Sequence, residues 1–403
     1  MLSVEEALQN IERHATVLPP RRVPLSDAAG LVLAEDIPSD INSPPFDKAM
    51  MDGYAVRCGD REPLRRVLEE IAAGAIPRQS ISPGAASRIM TGTPIPVGAD
   101  AVVPVEQTEL VDETTVRLQH VDPAPGQNVL KLGTSMRAGD QVLSAGVLLR
   151  PIEIAILAEV GRDTVTVHPR PSVAILPTGN ELVAVGEKPV RGQIRNSNGP
   201  MLIAAASRAG AEALDLGIAR DDRAQLIRVI EQGLKADVLV LSGGVSAGKF
   251  DLVPEVIASL GVEQVFHKVA LRPGKPLWFG VKREGDRQTL VFGLPGNPVS
   301  SLVCFELFVR PTIAALAGRS FTGAKILIAQ LSQVFDHPGR RAACLPARIT
   351  WPAKSTDCSP SVEILQWHGS ADIATLAQAN ALARLPVEAI HLEPGDSLEV
   401  MPI

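Results

Sequence analysis

The spacing of apolar and polar positions divides the chain into four kinds of stretch. From Ser172 to Gly318, short continuous apolar runs alternate with segments of helical period. SVAILPT (172–178) and EALDLGIA (212–219) read as strands, and VLVL (238–241) as a strand covered on both faces. NSNGPMLIAAASRAG (196–210) and DDRAQLIRVIEQGLKA (221–236) read as helices between them. Val265–Ala270 and Pro276–Val281 are further strand candidates, and VFGLPGNPVSS opens a strand, a tight turn and a long helix ending at Gly318. Strands alternating with helices of about ten to fifteen residues predict βαβ units and a parallel sheet. Ligands of such sheets bind beyond the carboxyl ends of the strands.

The flanking stretches follow other rules. Ser3 to Arg13 predicts an amphipathic helix opened by a capping box at Ser3 and Glu6. From Leu64 to Val142 short β runs are separated by Pro and Gly, a β-rich domain. SAGVLLRPIEIAILAEVG returns to helical period, so the β-rich domain is expected to be an insertion. After Ala324 five β runs follow (ILIAQLSQVF, AACLPARITW, SVEILQW, ARLPV, DSLEVMP), which predict a small terminal barrel or sandwich with no visible chemistry. The expected division is 1–45 with 143–169 as a linker-like domain, 46–142 as the β-rich insertion, 170–322 as the α/β domain and 323–403 as the terminal β domain.

Composition narrows the partners. At 403 residues the chain exceeds one ordinary core. A net charge of −6 argues against a nucleic-acid or anionic-membrane partner held by bulk electrostatics, so any anion site is local. Aromatic residues at 3% leave little material for stacking on single strands. The four cysteines lack metal-ligand spacing and suit a reducing compartment. There is no basic segment leading into an apolar core at the start, and each apolar run is interrupted by Gly, Pro or charge before the roughly 18 residues of a membrane span. A cytoplasmic location is the expectation.

The richest stretch is ADVLVLSGGVSAGKFDLVPE (236–255), which is strand, glycine turn, then helix. Main-chain N–H groups converge there, a phosphate-binding candidate. Gly243 to Lys249 imitates a Walker loop, but Phe250 stands where a hydroxyl would hold magnesium. Asp251 follows, and spacing leaves two readings open: a carboxylate for a bridging cation or proton transfer, or a helix N-cap before Leu252. Thr178-Gly179-Asn180-Glu181 and Asp221-Asp222 also fall just after predicted strands, and Arg272-Pro273-Gly274-Lys275 forms a basic turn. The Asp221-Asp222 pair doubles as a natural N-cap.

PPFDKAMMDGYAV, IMTGTPIPVGADAVVPVEQT, PTGNEL, LSGGVSAGKFD, FHKVALRPGKPLWFG and GLPGNPVSS occur in one order. Together they resemble the MoeA/gephyrin E-domain family of molybdopterin molybdenumtransferases over essentially the whole chain. The resemblance implies a multidomain α/β plus β fold, with a molybdopterin-binding-like central domain, and a homodimer. It also implies that the linker-like domain serves dimerisation and that the terminal β domain is a small β-barrel. It implies insertion of molybdate into adenylylated molybdopterin with release of AMP and with Mg2+, and it admits the adenylyltransferase or recipient molybdoenzymes as protein partners.

Matched to the family motifs, Asp52, Thr91, Glu181, Asp221 and Asp251 would be catalytic, and Glu181, Asp221 and Asp251 would hold the metal. Gly243, Gly244, Ser246, Arg272, Lys275, Pro295, Gly296, Asn297 and Pro298 would bind substrate. The chain departs from the usual pattern at Ala49, which loses a Ser hydroxyl. It departs again at Leu130, Leu132 and Ser135, which lose two cations and an acid, at Asn180 for Asp, and at Arg272 for Lys. These losses motivate one alternative, a non-catalytic carrier or scaffold that binds molybdopterin. Another, a molybdopterin adenylyltransferase, follows from the resemblance of the βαβ domain to that of the enzymes that adenylylate molybdopterin.

Overall fold

The computed structural model describes residues 1–119, 122–244, 252–321, 325–352 and 359–403. The chain forms two compact units. One comprises Arg22–Ala29 and Glu35–Val165, the other Met1–Arg21, Gly30–Ala34 and Thr166–Ile403.

The smaller unit is the inserted β-rich domain with its helix. A six-stranded sheet runs Ala101–Pro104, Gly53–Val56, Ala85–Ile89, Leu64–Ile71, Thr115–Leu118 and Thr108–Asp112 in spatial order, antiparallel except where Leu64–Ile71 meets Ala85–Ile89. Alternation feeds two cores. Tyr54, Val56 and Val103 point to one face, and Ala55, Val102 and Ile89 to the other. Helix Pro151–Glu159 starts with Pro at its first turn, and Glu153 reaches back to Arg150.

In the larger unit α1 is Val4–Glu12, capped by Ser3 and Glu6 as the sequence predicts, and its Val4, Ala7 and Ile11 enter the α/β core. The central elements follow: β1 Ser172–Pro177, α2 Asn198–Arg208, β2 Glu212–Asp215, α3 Arg223–Gly233, β3 Val238–Ser242, α4 Val253–Ser259, β4 Glu263–His267, β5 Trp278–Glu284 and β6 Arg287–Leu294. They give a sheet of order β2-β1-β3-β6-β5-β4. Strands β2, β1, β3 and β6 are parallel, as expected. The expected parallel sheet is mixed at β5, which is antiparallel to both β4 and β6; its link to β6 is only Gly285-Asp286, too short for the crossover that parallel neighbours need. Val238 and Val240 feed one core, and Leu239 and Leu241 the other, which explains the unbroken apolar run.

After β6 the helix continues in three parts, α5 Pro298–Cys304, a π-helical stretch Phe305–Val309, and α6 Arg310–Leu316. The widened turn precedes Pro311, whose missing N–H and bulky ring would otherwise disrupt a regular helix. Pro, Glu and Arg do not interrupt this segment as sequence spacing suggested. It is long and apolar enough by length and composition to cross a membrane, but 83% of its apolar window is buried inside the protein, as a core helix is. Buried Glu306 pairs with Arg208 and, at 2.9 Å, with Arg310.

The five terminal runs form β7 Leu327–Leu331, β8 Ala342–Thr350, β9 Ser361–Ile364, β10 Ala381–Leu385 and β11 Ser397–Pro402. They close as a barrel in the order β8-β9-β7-β11-β10, with β10 pairing back to β8. A short strand, Leu271–Arg272, joins from outside and runs parallel to Ala342 and Ala343 of β8.

Candidate functional site

The site begins with register. Pro177 lies opposite Ser242, and Ser242 opposite Leu294, so β1, β3 and β6 end at one level. The ladder runs one step further. Thr178 N–H donates to the Ser242 carbonyl at 2.9 Å, and Gly243 N–H to the Leu294 carbonyl at 3.1 Å. Thr178, Gly243 and Pro295 therefore stand in a row at the carboxyl edge of the sheet. A methyl group on Gly243 would lie 2.5 Å from the Thr178 carbonyl oxygen, and one on Gly244 would lie 2.7 Å from Thr178 Oγ1. The two glycines are thus required by close packing of strand-end loops, as well as by left-handed backbone at φ 92° and 64°.

The next loop over supplies the acids. Gly179 N–H donates to Ala219, which draws the Glu181 and Asp221 loops together. Asn180 ties them. Its Oδ1 accepts from Asp221 N–H at 3.1 Å, and its carbonyl accepts from the Arg220 guanidinium at 2.6 Å. Asp222 is the residue that caps α3, accepting from Gln225 N–H at 2.8 Å. Sequence spacing assigned the cap to either aspartate. Because Asp222 takes it, the Asp221 carboxylate is released from that duty, and both Glu181 and Asp221 are exposed. Ser246, Lys249, Phe250 and Asp251 lie outside the described residues. Among the described residues no three His, Cys, Asp or Glu side chains converge on a metal position.

The basic turn has its own cavity, of about 360 Å3. Arg272, Lys275, Pro295 and Asn297 line it, as motif matching led one to expect. Ser300, Arg341, Trp367 and Ser370 line it too, and sequence reading missed them. The last three come from the barrel region, dismissed from sequence as non-chemical. No motif marks them, and only the closure of the barrel onto the basic turn delivers them. The lining carries three basic side chains and no acidic one, an anion site in a net acidic protein. A larger cavity, about 480 Å3, lies between the start of α1 and the barrel, is mostly apolar and contains no residue assigned from sequence.

In the smaller unit Asp52 and Thr91 meet directly. Asp52 Oδ1 accepts from both the N–H and the hydroxyl of Thr91, each at 2.7 Å. These two bonds hold the exposed Asp52 carboxyl below the usual carboxylate range. Gly53 is fixed by strand packing, since a methyl there would meet the Val103 carbonyl at 2.0 Å. At the departure from the family pattern, Lys131 is spent on Asp47, 2.8 Å away, whose carboxyl it lowers, and Leu132 is 49% exposed.

Comparison with known proteins agrees with this geometry region by region. Residues 2–161 match the MoeA N-terminal region (domain I and II), residues 174–315 a probable molybdopterin binding domain, and residues 329–403 the MoeA C-terminal region (domain IV). A molybdopterin molybdenumtransferase of Staphylococcus aureus is 34% identical over 409 residues, covering 99% of this chain and 95% of its own. The Staphylococcus epidermidis protein of the same name is 33% identical with the same coverage. A crystal structure of the molybdopterin biosynthesis MoeA protein from Pyrococcus horikoshii OT3 aligns with a TM-score of 0.81 at 27% identity, over 100% of both chains. Three regions matched in order, a full-length relative above 30% identity and a shared fold show that the chain belongs to the MoeA family.

Proposed function

We propose that the protein inserts molybdate into adenylylated molybdopterin and releases AMP, acting as a homodimer in the cytoplasm. Its membership of a family of molybdopterin molybdenumtransferases sets the reaction class. The observation that carries the finer reading is the cavity lined by Arg272, Lys275 and Arg341 together with Asn297, Ser370 and Trp367, with no acidic side chain among the described lining residues. A substrate with a pyrophosphate, an oxyanion and flat ring systems needs that set: cations and N–H or O–H donors for the anions, and an aromatic wall for a ring.

Magnesium fits the residues present. Glu181 and Asp221 are exposed hard-oxygen donors on two loops tied by Asn180, with no soft ligand beside them. They would hold the cation, with Asp251 as the third carboxylate by motif. When bound, it would neutralise the phosphoryl oxygens of the anhydride. The chain's own groups do the rest. Arg272 and Lys275 hold the phosphates, and the glycine turns admit them closely. Asp52, ionised and fixed by Thr91, serves the pocket of the other protomer of the homodimer as acceptor for a proton or a donor group of the substrate. The chain reads as the four domains 1–45 with 143–169, 46–142, 170–322 and 323–403. Its protein partners are the enzyme that supplies the adenylylated pterin and the enzymes that receive the cofactor.

One observation favours a second reading, a carrier that binds without inserting metal. Lys131, the one cation left in its stretch, is already paired, and Leu132 offers an apolar surface. The test is purified full-length protein with adenylylated molybdopterin, magnesium and molybdate, scoring AMP release and active cofactor separately. Turnover that depends on molybdate, lost in Glu181→Gln, supports insertion. Stoichiometric binding with no AMP release supports the carrier.

A further inference from the structure

Beneath the Pro295-Gly296-Asn297 turn lies a buried chain of polar side chains that no motif match assigns a role. Asn198, at the start of α2, donates from Nδ2 to the Gly296 carbonyl at 2.7 Å and to Ser242 Oγ at 2.9 Å. Ser242 Oγ lies 3.3 Å from Ser301 Oγ, and Ser301 donates in turn to the Pro295 carbonyl. Since the Ser301 proton is committed to Pro295, Ser242 must donate to Ser301. The run is directional, from Asn198 through Ser242 and Ser301 to the turn. Both consecutive carbonyls of the turn are thereby pulled inward.

A trans peptide unit points its C=O and N–H in opposite directions. Drawing the Pro295 and Gly296 carbonyls into the protein therefore turns the N–H groups of Gly296 and Asn297 outward. Among the described residues neither of these N–H groups meets an acceptor. Pro295 and Asn297, though not Gly296 itself, line the basic cavity, so the turn that carries the two donors borders the place where Arg272 and Lys275 already provide charge. Asn198 itself is nine-tenths buried, and its Oδ1 has no partner. Flipping the amide would set oxygen against the Gly296 carbonyl, which can only accept, so the unpaired end is fixed by the turn it serves. A residue kept only for packing would not leave a buried acceptor empty.

We propose that Asn198, acting through Ser242 and Ser301, is a positioning residue that aims the Gly296 and Asn297 N–H groups at the phosphate groups of the bound substrate. The proposal rests on the reading of the cavity as the substrate's anion site. Asn198→Asp keeps the shape, removes both donors and sets an oxygen against the Gly296 carbonyl. Ser301→Ala releases only the Pro295 carbonyl.

The experiment is steady-state AMP release by the full chain, together with calorimetric binding of inorganic pyrophosphate. Asn198→Asp is expected to raise KM about tenfold with kcat changed less than about threefold, and Ser301→Ala to raise KM about threefold. Pyrophosphate affinity should fall in parallel. A lower unfolding temperature with unchanged KM and unchanged pyrophosphate affinity would mean a structural role only and overturn the proposal. If Asn198→Asp does not fold, Ser301→Ala decides by the same readouts. If the wild type releases no AMP, the function reading falls and pyrophosphate decides alone. Weaker binding in the variants sustains the positioning role, while equal binding, or none in the wild type, ends it.

Discussion

Gly243→Ala and Gly244→Ala look alike in sequence but should behave differently. Gly243 has φ 92°, beyond the left-handed basin that an L-residue tolerates, and its added methyl would face a main-chain carbonyl oxygen at 2.5 Å. That oxygen is main chain, and its residue is pinned by the Thr178 N–H bond to the Ser242 carbonyl and the following Gly179 N–H bond to Ala219, so it cannot swing aside as a side chain would. The backbone penalty of about 1–2 kcal/mol adds to an overpacking penalty of about 1–3 kcal/mol, or about 3 kcal/mol together. For a unit of this size that lowers the unfolding midpoint by on the order of 10 °C. Gly244 has φ 64°, inside the basin, and its methyl would meet Thr178 Oγ1 at 2.7 Å and Val253 Cγ2 at 2.8 Å. Both are side-chain ends that rotate, so the cost is about 1–2 kcal/mol.

The Thr178 hydroxyl is buried without a partner, so Thr178→Ala alone should be nearly neutral. Combined with Gly244→Ala it should recover stability, with a coupling of about 0.5 kcal/mol or more, and combined with Gly243→Ala it should recover none. Thermal unfolding of the three single variants and the two doubles, alongside AMP release, reads this out. If Thr178→Ala rescues both glycine variants equally, or if Gly243→Ala unfolds at the wild-type temperature, the packing argument for the glycine turn is wrong.

Three further expectations are independent of it. Thr91→Val removes one of two donors to Asp52, so its depressed pKa should rise toward the ordinary carboxylate value; the acid limb of AMP release then moves to higher pH, checked by NMR titration of the carboxyl. His391 sits between Asp336 at 2.7 Å and Glu393 at 3.1 Å, which raise its pKa. A raised folded-state value means that its contribution to stability is complete below about pH 6.5 and is lost as pH rises through that value, a dependence that hydrogen exchange of strands Phe335–His337 and Ile390–Leu392 should show and His391→Gln should abolish. Glu306→Ala leaves Arg310 facing an emptied, buried position. Removing a buried partner costs about 3–5 kcal/mol, and because Arg208 is half exposed the low end applies, measurable as a shift in the urea midpoint.

The elements themselves were largely legible. The Ser3–Glu6 capping box, the two-sided β3 and the five terminal β runs each follow from local periods that tertiary structure did not override. What stayed hidden depends on closure. The five terminal runs predict the barrel, yet nothing in AACLPARITW or SVEILQW says that its loops deliver Arg341 and Trp367 to the basic turn. Spacing could not choose between Asp221 and Asp222 as the cap, because the choice is made by which carboxylate faces Gln225 N–H. Asn198 escaped notice for the opposite reason: it reads as an ordinary polar residue opening a helix, and its partners lie 44 and 98 residues away.

The Leu271–Arg272 strand is continuous in chain with the α/β sheet, yet its ladder partner is Ala342-Ala343 of the barrel. It is therefore a splice inside one compact unit. The opposite wall of the cavity is tied to the barrel region as well, since Asn297 Nδ2 donates to Ser370 Oγ at 2.8 Å and Val299 N–H to the Ser370 carbonyl at 3.1 Å. The barrel region thus holds Arg272, Arg341 and Asn297 at a common spacing, and substitutions deep in the barrel are expected to alter the shape of the cavity as a whole, with no contact to any ligand.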